Sequence, residues 1–301
     1  MALGRSEGGN MRIYPNLFCL YSHFENQVIG ILNKHLFSKP ITPLSNTSSA
    51  ITSIHDIYED MRSTCDFPDI DKKYMIDGSC VAVNRVGLTT QGHIYAGHDL
   101  PIWINDPDSA DCKIMIVGQD PRRTPAEMYD YNCPTMDQIT ISSPFGMHMR
   151  YHRRKINTIP KLVLGLIDCA SEHNKKMSVY LTDLYKMRGV DPSEINAINI
   201  QTYLDVLKEE ITLFNPCVII LLGKQVMNDF GICGPYFSTT SKLYGKYTCL
   251  PVPHPSGANA NEIKKVKEEK GCNKPTAEFL TEEICKQLKH LCCDRQMLNK
   301  L

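Results

Sequence analysis

The chain has no stretch of about eighteen consecutive apolar residues, so no segment reads as a membrane span. The first ten residues, MALGRSEGGN, lack the apolar segment of a secretory leader. Small and Gly-rich, they read as an expression remnant or a disordered lead-in to Met11, and they stay outside the fold reasoning. Net charge is absent too, with 33 Lys+Arg against 33 Asp+Glu. That balance argues against the global positive field of a tight nonspecific nucleic-acid binder, but a local positive stripe suffices for an enzyme that must release its product. Thirteen cysteines include no CxxC pair, and the nearest two, Cys292 and Cys293, are adjacent. With no leader, a disulfide framework is not expected, and the spacing gives no tetrahedral metal or cluster site. The cysteines read as small apolar residues, and no metal or cofactor is expected.

What is present is ordinary globular composition, 42% hydrophobic and 22% charged over 301 residues. It suits a core domain with an extension. Residues 11–36 carry an apolar helical pattern (Phe18, Leu20, Phe24, Val28, Ile29, Ile31, Leu32). A Pro-, Ser- and Thr-rich loop over 40–53 follows, then a short helical segment from Ile54 to Met61. Residues 65–111 are punctuated by Gly, Asp and Pro, with short β-type runs such as CVAV (80–83) and HIYA (93–96). The expected division is an N-terminal, partly helical extension over 1–100 and a domain over 101–301.

From Cys112 the pattern alternates between strand and helix. KIMIVG (113–118), SVYLTDL (178–184), NPCVIILLG (215–223) and KYTCLPVPHP (246–255) read as strands. Segments 160–173, 199–214 and 275–297 read as helices, the second with Leu204, Leu207, Ile211 and Phe214 on one face. The order predicts a three-layer α/β/α sandwich around a central, mainly parallel four-stranded sheet. In such sheets ligands sit at the carboxyl ends of the strands. GQDPRR (118–123), TDLYK (182–186) and HPSGAN (254–259) stand at those ends and converge on one rim. Each alone is also what a plain turn looks like.

Taken together and in this order, GQDP, SPFG (143–146), TDLYK, VIILLGKQV (218–226) and HPS resemble the signature segments of the uracil-DNA glycosylase superfamily, over about residues 100–291. TDLYKMR is similar to the branch that usually carries an iron–sulfur cluster, whereas GQDP is similar to the branch without one, so no branch is assigned. The resemblance implies a DNA glycosylase of base excision repair that flips out uracil or a related damaged base and hydrolyses its N-glycosidic bond. Asp120 then stabilises the oxocarbenium-like sugar and orients water, and His254 donates to the departing base. Gln119 supplies backbone N–H groups, and Phe145 stacks under the base, although another register puts Ile141 there. Ser256 and Pro255 grip a phosphate through hydroxyl and amides, and Asn259 reaches the opposite strand. Arg153 and Arg154, in the basic cluster RYHRRK (150–155), read as phosphate contacts or as a solvated charged face. No lysine in the motifs is placed for a Schiff base, so no lyase step is expected.

Three positions depart from the pattern, all in substrate choice. Asp183 stands where the family often has the Asn that reads uracil; an ionised carboxylate only accepts, favouring a base edge with donors. Thr182 is the alternative equivalent in a shifted register, with Asp183 capping a turn. Arg122 replaces the Tyr that excludes the thymine methyl, and Ala258 stands where a Leu wedge would fill the emptied stack. The expected partner is single-stranded or mismatched duplex DNA carrying a damaged base, met by a monomer inside the cell, in cytoplasm or nucleus. A non-catalytic nucleic-acid-binding relative is the alternative. A hydrolase of phosphorylated small molecules is disfavoured because no Gly-rich phosphate loop follows a strand.

Overall fold

The computed structural model describes residues 22–35, 75–77, 97–119, 138–142, 144–146, 158–188, 192–240, 242–256 and 259–298. In chain order, the first half holds α1 (Ser22–His35), β1 (Met75–Asp77), β2 (Gly97–Asp99), β3 (Ile102–Ile104), β4 (Cys112–Gly118), β5 (Gln138–Ser142), a 3-10 turn (Pro144–Gly146) and α2 (Thr158–Ser171). The second half holds β6 (Met177–Asp183), β7 (Met187–Arg188), α3 (Pro192–Phe214), β8 (Val218–Leu222), α4 (Lys224–Asp229), β9 (Lys242–Leu243), β10 (Tyr247–Val252), α5 (Ala260–Glu269) and α6 (Thr276–Leu298). The expected helix over 54–61, the loop over 40–53 and the CVAV and HIYA runs lie outside the described residues.

The main sheet has the order β3-β6-β4-β8-β10-β9. Its four middle strands are the four expected ones, and they run parallel: Cys112–Gly118 pairs Met177–Asp183 residue for residue, and β8 pairs β4 on one side and β10 on the other. These strands are buried along nearly their whole length, which is why they read as unbroken apolar runs rather than alternating ones. The four-stranded expectation needs correction at both edges, where β3 and β9 add antiparallel strands and make the sheet mixed. Strands of three and two residues are too short to leave a readable period. A second sheet, β1-β5-β2-β7, collects segments from both halves of the chain.

Connectivity sets the layers. The chain leaves β4 for β6 on one side, then returns past β4 to β8 and onward to β10. With right-handed crossovers, that reversal sends α2 and α3 to opposite faces. On the α2 face, Gly165 lies so close to Thr281 of α6 that an added Cβ would come within 2.8 Å of its side chain. The helix α5 was not anticipated: only Ile263 is buried in its ten residues, too little for an apolar stripe. Among the described residues no helix is long and apolar enough to cross a membrane, and the seven cysteines described are free thiols.

The α3 face is completed by α1. Phe24, Val28 and Leu32, at four-residue spacing, turn one stripe inward and are almost fully buried. The Phe24 ring meets Trp103 edge-on at 5.1 Å, with Tyr180 and Phe214 each at 6.1 Å. Trp103 and Tyr180 in turn stack at 6.2 Å across the β3–β6 pair. At the end of α1, Lys34 and His35 hold Glu209 of α3 at 2.5 and 2.8 Å, keeping that carboxyl below the usual carboxylate range. Such an exposed cluster contributes little, and the aromatic contacts carry the docking. Phe24→Ala is therefore expected to cost about 3–5 kcal/mol, because the surrounding rings collapse only partly into the void. Urea unfolding of the full chain checks this, and a midpoint equal to the parent's would show that α1 is not part of the cooperative core.

Candidate functional site

The parallel strands are mainly apolar and buried, and the chemically loaded residues begin at or just past their carboxyl ends. β4 ends at Gly118, β6 at Asp183, β8 runs into Gly223 and β10 into His254. Gly118 pairs Asp183 directly in the β4–β6 ladder. An added Cβ on Gly118 would collide with Asp183 Oδ1 and lie 2.7 Å from the Phe145 ring. The glycine is thus required by close approach: two side chains from distant segments occupy the space above its backbone.

The pleat decides which β6 residue faces this space. Successive strand residues point to opposite sides. Asp183 lies over Gly118, while Thr182 goes to the α3 face, where its hydroxyl donates to Glu210 Oε2 at 3.2 Å. Thr182 is therefore not the neighbour of Gly118 and Phe145. Asp183 is 2% exposed, so its carboxylate is buried against the end of β4.

Phe145 sits in the 3-10 turn after β5 with φ 59 and ψ 15, a left-handed conformation uncommon for a bulky side chain. Strain of this kind persists only where the surroundings impose it, and it is frequent at binding sites. Its ring centroid lies 6.2 Å from that of His254. The side chain of Ile141, the other candidate for a base platform, lies outside the described residues, although its backbone belongs to β5.

His254 depends on a second glycine. Gly223 has φ 89, and an added Cβ would stand 3.1 Å from His254 Cβ, tighter than ordinary packing. Its N–H donates to Val252 O at 2.8 Å, tying the end of β8 to the end of β10. The His254 ring is oriented by its own loop, since the Ser256 N–H donates to Nδ1 at 3.2 Å. A nitrogen that accepts carries no proton, so the neutral ring has its N–H at Nε2 and acts as a donor there. The Ser256 amide thus braces the imidazole of its own loop. The Ser256 hydroxyl accepts from Asn259 Nδ2 at 2.9 Å, and the Asn259 N–H donates to Ser256 O. Asn259 stands at the start of α5 without capping it. The two residues brace the loop against each other.

The turn after Asp183 is bound on every side. Leu184 and Tyr185 donate their amides to the carbonyls of Gly118 and Gln119, both at 2.9 Å. The Tyr185 hydroxyl donates to Asp229 Oδ2 at 2.8 Å on α4, and Gln225 holds the other oxygen of Asp229. Lys186 is fully buried. Its Nζ reaches Glu210 Oε2 at 2.6 Å and also bonds the Thr182 hydroxyl; Tyr180 donates to Glu210 Oε1 at 3.2 Å.

Gln119, Phe145, Asp183 and His254 are therefore on one rim, with Ser256 and Asn259 beside it. Asp120, Arg122, Arg153, Arg154 and Ala258 lie outside the described residues, Asp120 following Gln119 directly in the chain. Sequence reasoning gave no role of their own to Tyr185 and Lys186 within TDLYK, nor to Glu210 or Asp229, and it took Gly118 and Gly223 as the glycines that close two strands. A Lys so near a strand end was the available signal, but nothing linked it to a Glu 24 positions later. Among the described residues no three or more His, Cys, Asp or Glu are grouped to hold a metal ion.

Comparison with curated proteins finds no match to this chain. The family model described as the uracil DNA glycosylase superfamily matches residues 106–274, more than half of the chain and all four parallel strands. On that match, which takes in the rim built by Gly118, Phe145, Asp183 and His254, the chain belongs to the uracil-DNA glycosylase superfamily.

Proposed function

We propose that the chain is a monofunctional DNA N-glycosylase of base excision repair. It hydrolyses the N-glycosidic bond of uracil or a related damaged base flipped out of single-stranded or mismatched DNA, and it needs no cofactor. The observation carrying this reading is the convergence of a buried carboxylate and a strained aromatic ring over the side-chain-free end of β4, with an oriented imidazole beside them, its ring centroid 6.2 Å from that of Phe145. A flipped base needs a stacking surface, a hydrogen-bonding edge and a donor for the negative charge it acquires on leaving. Phe145, Asp183 and His254 have those three chemistries.

Asp120, adjoining Gln119 at the end of β4, is the carboxylate assigned to the sugar. As the glycosidic bond breaks, the anomeric carbon becomes positive, and a carboxylate beneath it stabilises that charge and aligns water for attack. The base leaves with the bonding electron pair, and the Nε2–H of His254 donates to its oxygen. Asp183 reads the base edge from beside Gly118. When ionised it only accepts, so it selects a base that presents an amino or ring N–H donor. Arg122, Arg153, Arg154, Ser256 and Asn259 are assigned to the DNA backbone and the neighbouring bases.

Asp120→Asn is expected to abolish excision while leaving DNA affinity close to the parent's; normal turnover by this variant would remove Asp120 from catalysis. His254→Ala should lower kcat by about 10²–10³-fold, the usual loss for one preorganised donor. Asp183→Asn gives the edge both a donor and an acceptor and should raise uracil excision relative to other bases. The reading itself is tested with labelled oligonucleotides carrying uracil, hypoxanthine, xanthine or 5-hydroxymethyluracil, single-stranded and mismatched, treated with alkali after incubation. Alkali-labile abasic sites from any one of them support it. Folded protein that binds these oligonucleotides and releases no base would replace the enzyme with a non-catalytic binder.

A further inference from the structure

We propose that the buried Lys186–Glu210 pair is a positioning device for Asp183, holding the reading carboxylate in a single orientation toward the flipped base. The proposal rests on the glycosylase reading for the meaning of that orientation, but not for the mechanical link. Both side chains are completely shielded from solvent. An ion pair in the interior loses most of its attraction to desolvation, and apolar residues of equal volume generally stabilise a fold as well or better. Stability alone therefore does not account for a lysine here. Its geometry does.

Lys186 bonds the hydroxyl of Thr182, four residues earlier, and Glu210 of α3. Thr182 donates to the same Glu210, and Tyr180 adds a third bond to that carboxylate. The two ends of the segment 182–186 are thus fastened to one another and to a helix on the far face of the sheet. Between those ends stand Asp183, Leu184 and Tyr185. The amides of the last two donate to Gly118 and Gln119, the residues that lead into Asp120. On the other side the Lys186 carbonyl accepts from the Asp99 N–H of β2. Loosening the pair would free the turn at both ends, and the carboxylate over Gly118 would lose its fixed direction. Lys186 and Glu210 touch no substrate in this scheme and act through Asp183.

The test separates positioning from plain stability. Either single change, Lys186→Met or Glu210→Gln, strands one buried partner and should lower the melting temperature. The double variant K186M/E210Q removes both charges, while the Gln oxygen still accepts from Tyr180 and Thr182. Its melting temperature should return to within about a few degrees of the parent's. In that refolded background kcat on the preferred base should drop about tenfold or more with KM changed less than about threefold, and the preference among bases should flatten. Deuterium exchange at the Leu184 and Tyr185 amides should speed up by about tenfold or more. If the double variant does not fold, Thr182→Val, which cuts the Lys186–Thr182 link and keeps the ion pair, is read in the same way. Parent-like kcat, base preference and exchange in a variant of parent-like stability would overturn the proposal. A parent protein that excises no base overturns the glycosylase reading alone, and exchange then decides: unchanged protection overturns the positioning role, faster exchange upholds it.

Discussion

The whole arrangement hangs on the in-step pairing of β4 with β6, seven consecutive residue pairs ending at Gly118 opposite Asp183. Because strand side chains alternate, a slip of one residue would swap the faces of the entire strand. Thr182 would come over Gly118, and a carboxylate would be driven into the face where Glu210 and Phe214 are packed. That register is strongly specified, since β4 and β6 are buried on both faces and each position meets a different neighbour. The polar residues gather at the strand ends because the strand interiors have no room for unpaired charge.

The rim is also shaped by what is missing from it. Gly118 and Gly223 leave two gaps in the line of side chains along the sheet edge, and residues from other segments move into them. Asp183 and Phe145 close over the first, His254 over the second. A site made this way is held by backbone contact on rigid strands, where placement is more reproducible than on loops alone. The bonds from Leu184 and Tyr185 to Gly118 and Gln119 extend the sheet's order one step beyond its formal end. The loop of His254 is stiffened locally, by Ser256 and Asn259.

Much of this was legible in the residues because the parallel strands are unmixed. KIMIVG and VIILLG are apolar runs closed by glycine, and the chemistry begins at the next residue, so strand ends and candidate residues are found together. Asp183, Phe145 and His254 could be singled out for that reason. β3 and β9 could not, being shorter than the period that identifies a strand. Lys186 escaped because lysine is almost always solvated and only its partner's position reveals burial. Glu210 lies on the apolar stripe of α3, four residues after Val206 and four before Phe214, but by residue type it reads as solvated, like its neighbour Glu209. The glycines have ordinary turn readings, and crowding is a property of three dimensions that no spacing encodes.

The docking of α1 has a consequence for how the protein comes into being. Lys34 and Glu209 are separated by 175 positions, and the aromatic seat of Phe24 includes Phe214. A ribosome adding about 5–20 residues per second needs on the order of ten seconds or more to make the chain between them. Throughout that interval the Phe24–Val28–Leu32 stripe has been synthesised while its seat, which runs from Trp103 to Phe214, is incomplete. Contacts so far apart in sequence also slow the search for the native state. The α1 helix is thus made well before its seat is complete, and its apolar stripe must wait for partners that come much later in the chain.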